Sequence, residues 1–275
     1  MIPQGRAFYK MSGSGNDFVM IDARAEPPGE LEGSDAVRAL SAHGTGIGAD
    51  GVVFLERSST ADLGIRYFNS DGSLASLCGN ATLCSARLAV ELGIVDPAGF
   101  RIETGAGVLP ARIRDGLPEV DLAAIAEVSA DGPIETQGSE QRSGYLVAGV
   151  PHVTILVPDV GEVDVVGRGR PIRLDPRLPH GANANFVSPD GPGRWRIRTY
   201  ERGVEAETLA CGTGAVASAI LLTAWGEARG DAELVTKSGR PLRVRLRQDA
   251  EGRWHPSLSG HAAVVFTGKL SEVLT

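Results

Sequence analysis

The stretch Thr208-Leu-Ala-Cys211-Gly-Thr-Gly214, continued by Ala215-Val-Ala-Ser-Ala-Ile-Leu-Leu-Thr-Ala-Trp225 and Gly226, decides the reading of this chain. An unbroken run of Ala, Leu and small residues that stops at Gly predicts a helix with a glycine stop. Cys211 then stands at the mouth of that helix. The glycines before the apolar run let the backbone turn tightly and leave free N–H groups beside the sulfur, where an anion or a thiolate is favoured.

The same pattern occurs earlier, at Leu77-Cys78-Gly79-Asn80, with Ala81 to Leu92 as the helical run and Gly93 as its stop. In both copies Gly stands fifteen positions after Cys, Ser seven (Ser85, Ser218) and Leu ten (Leu88, Leu221). Upstream, Ile65-Arg-Tyr-Phe68 echoes Ile197-Arg-Thr-Tyr200 once one extra residue is allowed in the later copy. Self-similarity at an offset near half the chain predicts two related halves rather than a short-period solenoid. Cys78 and Cys211, in equivalent places, are then expected to face each other across a cleft.

With 275 residues, 42% of them hydrophobic, the chain can build two ordinary cores. A formal charge of −7 without a Lys/Arg block interleaved with aromatics argues against nucleic acid as a partner. No apolar run approaches the ~18 residues of a membrane span. The start, Met-Ile-Pro-Gln-Gly, leads into a strand-like segment with no secretory pattern, so a soluble, cytoplasmic protein is expected. Three cysteines, Cys78, Cys84 and Cys211, are an odd count without C-x-x-C or His-x-x-x-His spacing, which disfavours both a disulfide framework and zinc. Cys84, inside the first helix, reads as a small buried hydrophobe. Cys78 and Cys211, each before a helix and each followed by Gly and a polar residue, read as reactive.

In chain order, Ala7–Met11 and Phe18–Ile21 read as strands joined by the polar turn Ser12-Gly-Ser-Gly15-Asn16, where Asn16 is equally a hairpin residue or a ligand contact. Ser34–Ser41 reads as a short capped helix. Gly46-Ile-Gly48-Ala-Asp-Gly51 matches G-x-G-x-x-G, but a strand-like run (Val52–Glu56) follows where a dinucleotide site needs a helix, so it reads as a turn. Strand Ile65–Phe68 leads through the turn Asn69–Ser73 into the first cysteine helix, which ends before Asp96-Pro97. Phe100–Thr104, Gly107–Ile113 and Pro118–Leu122 alternate as strands. Asp115–Pro118 is read as the crossover between the halves, and Ser129–Gly144 as a surface loop. Tyr145–Val157 is a pair of strands about a turn, with His152 expected where the first half carries Asn16-Asp17. Gly181–Val187 is a turn into a strand with two amides available, Asn183 and Asn185. Arg202, after strand Trp195–Tyr200, can grip a carboxylate in bidentate fashion, although Glu201-Arg202 reads about equally as a weak surface ion pair. Leu258–Phe266 reads as one last strand returning to the first half. The halves are therefore placed at 1–115, completed by 262–275, and at 116–261.

Taken together, Ser12-Gly-Ser-Gly-Asn-Asp-Phe, Asn69-Ser-Asp-Gly-Ser, Cys78-Gly-Asn, Gly149-Val-Pro-His, Tyr200-Glu-Arg-Gly and Thr208-Leu-Ala-Cys-Gly-Thr-Gly resemble the diaminopimelate epimerase family, in the same order and over essentially the whole chain. The resemblance implies an α+β fold of two pseudo-symmetric domains, each a mostly antiparallel sheet wrapped around a central helix, with the site between them. It implies cofactor-independent interconversion of LL- and meso-diaminopimelate, on the route to lysine and peptidoglycan, with a homodimer as the one assembly considered. By the match, Cys78 and Cys211 are the acid/base pair. Gly79, Asn80, Gly212 and Thr213 hold the reacting carboxylate and ammonium end, and Asn16, Asn69, Asn183 and Arg202 the remote end. His152 and Glu201 orient the reacting amine.

The chemistry is consistent with that. Inverting a Cα needs one group to remove a weakly acidic proton and another to deliver one from the opposite face. Helix-mouth N–H groups also stabilise the charge that builds on the substrate carboxylate, each well-placed donor contributing ~3 kcal/mol. The three lysines, Lys10, Lys237 and Lys269, lie outside the motifs, leaving little place for a pyridoxal Schiff base. Two departures from the family stand out: Ala81 and Leu83 occupy positions where Gly and Arg are usual, and Val150 stands where many members carry a substrate-touching Asn. Neither removes a proton-transfer group. The alternatives are a related cofactor-independent racemase with another substrate, and a non-catalytic ligand-binding protein on the same scaffold.

Overall fold

A computed structural model describes residues 5–271. The start read at residues 1–4 and the end of the terminal segment, 272–275, lie outside the described residues. The chain divides into two compact units, residues 1–120 with 260–275, and residues 121–259. No helix among the described residues is long and apolar enough to cross a membrane.

In the first unit β1 (Ala7–Gly13) and β2 (Asn16–Asp22) form a hairpin. After α1 (Ser34–Ser41), β3 (Gly51–Glu56) runs parallel to β2, and β4 (Leu63–Asn69) returns antiparallel. β5 (Leu74–Ala75) pairs with the end of β4 and leads to α2 (Gly79–Glu91). β6 (Phe100–Thr104), β7 (Gly107–Arg114) and β8 (Leu117–Asp121) extend the sheet from the start of β4. The second unit repeats the plan. β9 (Val128–Ser129), β10 (Arg142–Ala148) and β11 (Val150–Leu156) are antiparallel. After α3 (Val165–Arg173), β12 (Asn183–Gly191) is parallel to β11, and β13 (Arg194–Glu201) and β14 (Ala206–Thr208) follow in antiparallel fashion. Then come α4 (Gly212–Ala224), β15 (Ala232–Val235), β16 (Pro241–Gln248) and β17 (Trp254–Gly260). The chain returns to the first unit as β18 (Ala262–Lys269), antiparallel to β1.

Strand alternation assigns the two faces of each sheet. In the first unit Val19, Ile21, Val52, Phe54 and Phe68 form an outer core with Leu31, Val37 and Leu40. The inner face wraps around α2, which packs on β1, β2, β3, β4, β7 and β18. In the second unit Val153, Ile155, Ala184, Phe186 and Tyr200 pack with Val165 and Ile172 of α3, and α4 lies on β10, β11, β12, β15 and β16. α4 is buried along its length from Gly214 to Leu222, as expected of a helix apolar all round. Burying Ile220, Leu221 and Leu222 completely contributes about 1.5–3 kcal/mol each. Both central helices end as expected, with Gly93 at φ +65° and Gly226 at φ +80°, a conformation that disfavours other residues.

Several local expectations are corrected. Ser34 is the first residue of α1 rather than its cap; Gly33 caps it without a side-chain bond. Asp115 and Gly116, at φ +53° and +76°, form a two-residue hairpin turn between β7 and β8 inside the first unit, so this segment is not a crossover. The expected 129–144 loop yields its last residues to β10, where Ser143 is buried. The terminal strand is two strands, interrupted at His261.

Candidate active site

Cys78 and Cys211 are the N-cap residues of α2 and α4, in almost the same extended conformation: φ −135°, ψ 116° and φ −130°, ψ 109°. In each helix the carbonyl of the cysteine accepts the first helical bond, from Thr82 at 2.9 Å and from Ala215 at 3.0 Å. The N–H groups of Gly79 and Asn80, and of Gly212 and Thr213, therefore lack intrahelical acceptors. Cys211 is 8% exposed, with Sγ 3.6 Å from the Thr213 hydroxyl; Cys78 is half-buried. Cys84 is fully buried, and that burial pushes its thiol pKa far up, which keeps it protonated and inert.

In the first unit, Asp50 accepts from the Asn16 amide and from the Asp17 N–H, both at 3.0 Å. A carboxylate only accepts, so the Asn16 nitrogen is fixed toward Asp50 and its Oδ1 toward the Asn80 Nδ2, at 2.6 Å. Asn80, 2% exposed, thereby presents Oδ1 as an acceptor with no hydrogen-bond partner among the described residues. Asn69 sits at the end of β4, its amide on Ser73 Oγ at 3.0 Å.

In the second unit the register corrects the place of His152. Leu146 and Asn183 flank it, as Met11 and Gly51 flank Phe18. His152 is therefore the counterpart of Phe18, inside the sheet, and not of Asn16-Asp17. By the same register Asn185 answers Val53, and Thr199 answers Tyr67. A buried polar layer under the mouth of α4 thus replaces an apolar one under α2. Asn185 is fully buried, with Nδ2 on the Val153 carbonyl at 3.0 Å and 3.3 Å from His152 Nδ1, while Oδ1 accepts from Thr199 at 3.0 Å. Burial, together with the nearby Arg202 charge, lowers the His152 pKa to about 3, so the ring is neutral. Its Nε2 is buried with no hydrogen-bond partner among the described residues. Asn183 and Asn185 are thus not free turn amides: Asn183 Oδ1 accepts the Arg202 backbone N–H at 2.7 Å. Arg202 also donates through Nη1 to the His180 carbonyl at 2.7 Å, and Glu201 closes β13 beside it. Val150, half-buried, opens β11.

The two units offer a cysteine at each helix mouth, backbone donors without an intrahelical acceptor beside each, and, on Asn80 and His152, buried atoms without a hydrogen-bond partner among the described residues. The sequence pointed to all of these residues, but it offered Asn185 only as an available turn amide, because a buried amide has the same letter as an exposed one.

The family profile described as diaminopimelate epimerase matches residues 8–123 and 144–258. A diaminopimelate epimerase from Gemmatimonas aurantiaca is 46% identical over 276 residues, covering 96% of this chain and 99% of that one. Among solved structures, a phenazine biosynthesis protein of the PhzF family from Bacillus anthracis superposes with a TM-score of 0.76 at 16% identity, over 98% and 99% of the two chains. A hydroxyproline epimerase from Agrobacterium vitis, with bound trans-4-hydroxy-L-proline, gives 0.69 at 18% identity over 98% and 92%. These structures share the α+β fold expected from the sequence. With its profile matched in both units, its full length aligned to a relative of 46% identity, and a cysteine capping each central helix, the chain belongs to the diaminopimelate epimerase family and is an isomerase.

Proposed function

We propose that this protein interconverts LL- and meso-diaminopimelate without a cofactor, with Cys78 and Cys211 as the proton-transfer pair. The observation that carries the reading is that each cysteine caps a register-equivalent helix in nearly the same backbone conformation. One sulfur starts as thiolate and removes the Cα proton; the other starts as thiol and delivers its own proton to the opposite face. After one turnover the two protonation states are exchanged, which suits a reversible reaction. The N–H groups of Gly79, Asn80, Gly212 and Thr213 take the carboxylate as charge builds on it in the planar intermediate. The orphaned Asn80 Oδ1 is an acceptor and suits the ammonium. Asn16, Asn69, Asn183 and Arg202 hold the remote amino-acid end, and His152 and Glu201 stand at the reacting one.

The departures remove no proton-transfer group. Ala81 and Leu83 are fully buried in α2, so they act on packing rather than on proton transfer. The test is solvent exchange: in deuterium oxide, with no added cofactor, LL-diaminopimelate acquires deuterium at one Cα as the meso isomer forms. Exchange into another amino acid but not this one would select the racemase alternative. No exchange with any amino acid would leave the binding protein.

A further inference from the structure

We propose that Asn185 is a positioning residue that fixes His152 as its Nε2–H tautomer, so that His152 offers the substrate a neutral hydrogen-bond donor. This rests on the function proposed above and assigns a role to a residue outside the motifs that carry the family resemblance. The Val153 carbonyl can only accept, so the Asn185 atom 3.0 Å from it is the amide nitrogen. A flipped amide would set two carbonyl oxygens against each other in a fully buried place. The Thr199 hydroxyl then donates to Oδ1 at 3.0 Å. The second amide proton of Asn185 faces His152 Nδ1 at 3.3 Å. That ring nitrogen must therefore be the acceptor, and in a neutral imidazole the proton lies on Nε2. Nε2–H is left buried with no hydrogen-bond partner among the described residues, a deficit that a ligand oxygen or sulfur would remove.

Geometry ties the same amide to the cysteine. A Cβ on Gly214 would stand 2.4 Å from Asn185 Oδ1 and 3.2 Å from Cys211 Sγ. Asn185 thus packs against the bare first turn of α4 while holding the imidazole on its other side. A donor at Nε2 cannot accept from an ammonium. The group it meets is an acceptor, namely the substrate carboxylate, and orientation of the amine falls to Glu201 and Asn80. His152 gains and loses no proton in this role.

The experiment is 15N NMR of histidine-labelled protein, with the His152 signals identified by their absence from His152→Phe. The expected result is an unprotonated Nδ1 and a protonated Nε2, with the Nε2–H proton moving downfield when diaminopimelate is added. Asn185→Asp places an acceptor at Nδ1. It should draw the proton there and lower the Cα exchange rate about 100-fold, as expected for loss of one well-placed donor. Wild-type protein with the proton on Nδ1, or a charged ring at neutral pH, overturns the proposal. So does Asn185→Asp with the proton moved and exchange unchanged. If Asn185→Asp does not fold, the wild-type spectrum alone decides. If wild-type protein exchanges no proton of diaminopimelate, the proposed function falls, while the tautomer remains readable from the free protein.

Discussion

Gly214→Ala separates two opposed effects at the mouth of α4. In an exposed helix this change stabilises by about 1 kcal/mol, because glycine loses more backbone freedom on folding. Here the new Cβ would meet Asn185 Oδ1 at 2.4 Å and its Cγ at 3.3 Å. Restoring ordinary contact near 3.4 Å requires that oxygen to retreat by about 1 Å in a close-packed interior. Asn185 is fully buried, and its bonds to Val153 and Thr199 are each 3.0 Å, so a retreat of that size breaks at least one of them. Overpacking costs about 1–3 kcal/mol, and a buried polar group left unsatisfied costs about 1–3 kcal/mol. After subtracting the helix gain, the net is a destabilisation of about 3 kcal/mol. Urea unfolding should show a lower midpoint at unchanged slope. The first unit supplies the compensating change: three residues after its cysteine stands Ala81, and at the place of Asn185 stands Val53. Gly214→Ala with Asn185→Val should therefore relieve the clash, with a coupling of roughly 2 kcal/mol, yet remain less stable than wild type, because the Thr199 hydroxyl, the Val153 carbonyl and His152 Nδ1 lose their partner, and leave Cα exchange impaired. A single Gly214→Ala protein as stable as wild type, or more so, would refute the steric argument.

Three further outcomes are expected. Cys78→Ala and Cys211→Ala should each abolish Cα exchange, measured by deuterium incorporation, whereas Cys84→Ala should retain it while losing about 1 kcal/mol from the cavity left by a fully buried sulfur; full turnover by either of the first two excludes that sulfur from proton transfer. His152 is held neutral, with a folded pKa of about 3 against an ordinary 6.5, so between those values the unfolded chain binds more protons at this group. Its contribution is complete above pH 6.5 and is lost as pH falls toward 3, at up to ~1.4 kcal/mol per pH unit. His152→Phe, the residue the first unit carries at this place, should flatten that part of the stability profile, and a profile unchanged by the substitution refutes the assignment. Arg202→Lys keeps the charge but loses the planar fork, so KM should rise roughly 10-fold with kcat less affected; an unchanged KM would remove Arg202 from substrate binding.

Much of this was legible in the sequence because the signals were local. An apolar run closed by glycine at the same distance from each cysteine has one economical reading, and the structure shows both helices with both stops in the left-handed conformation. Asp115-Gly116 misled because the same dipeptide suits a loop between domains and a tight hairpin turn, and only strand pairing tells them apart. His152 misled for a different reason. Its polarity suggested a turn, but the third residue after the turn glycine is Phe18 in one unit and His152 in the other, and alternation sends that position inward. Burial of a polar residue depends on which partners the fold brings to it: His152 meets Asn185, which is held in turn by Val153 and Thr199, and the three come from three strands.

The differences between the two units follow a physical rule. Phe18, Met20, Val53 and Tyr67 line the inner face of the first sheet, and His152, Thr154, Asn185 and Thr199 take the corresponding places in the second. Each polar replacement costs about 1–3 kcal/mol if left unsatisfied in the interior. The Thr154 hydroxyl lies 3.3 Å from that of Ser218, and the Asn185 amide is spanned by three neighbours. Gly214 belongs to the same set, because the amide oxygen occupies the space that a methyl group fills in Ala81. The one atom of the imidazole that this network does not satisfy is Nε2. A polar layer serving stability alone would have closed on itself, as Ser218 and Thr154 do. Leaving one donor open at the centre of an otherwise satisfied network makes sense where a ligand completes it, and it is the second unit, the one that contains Cys211, that carries that opening.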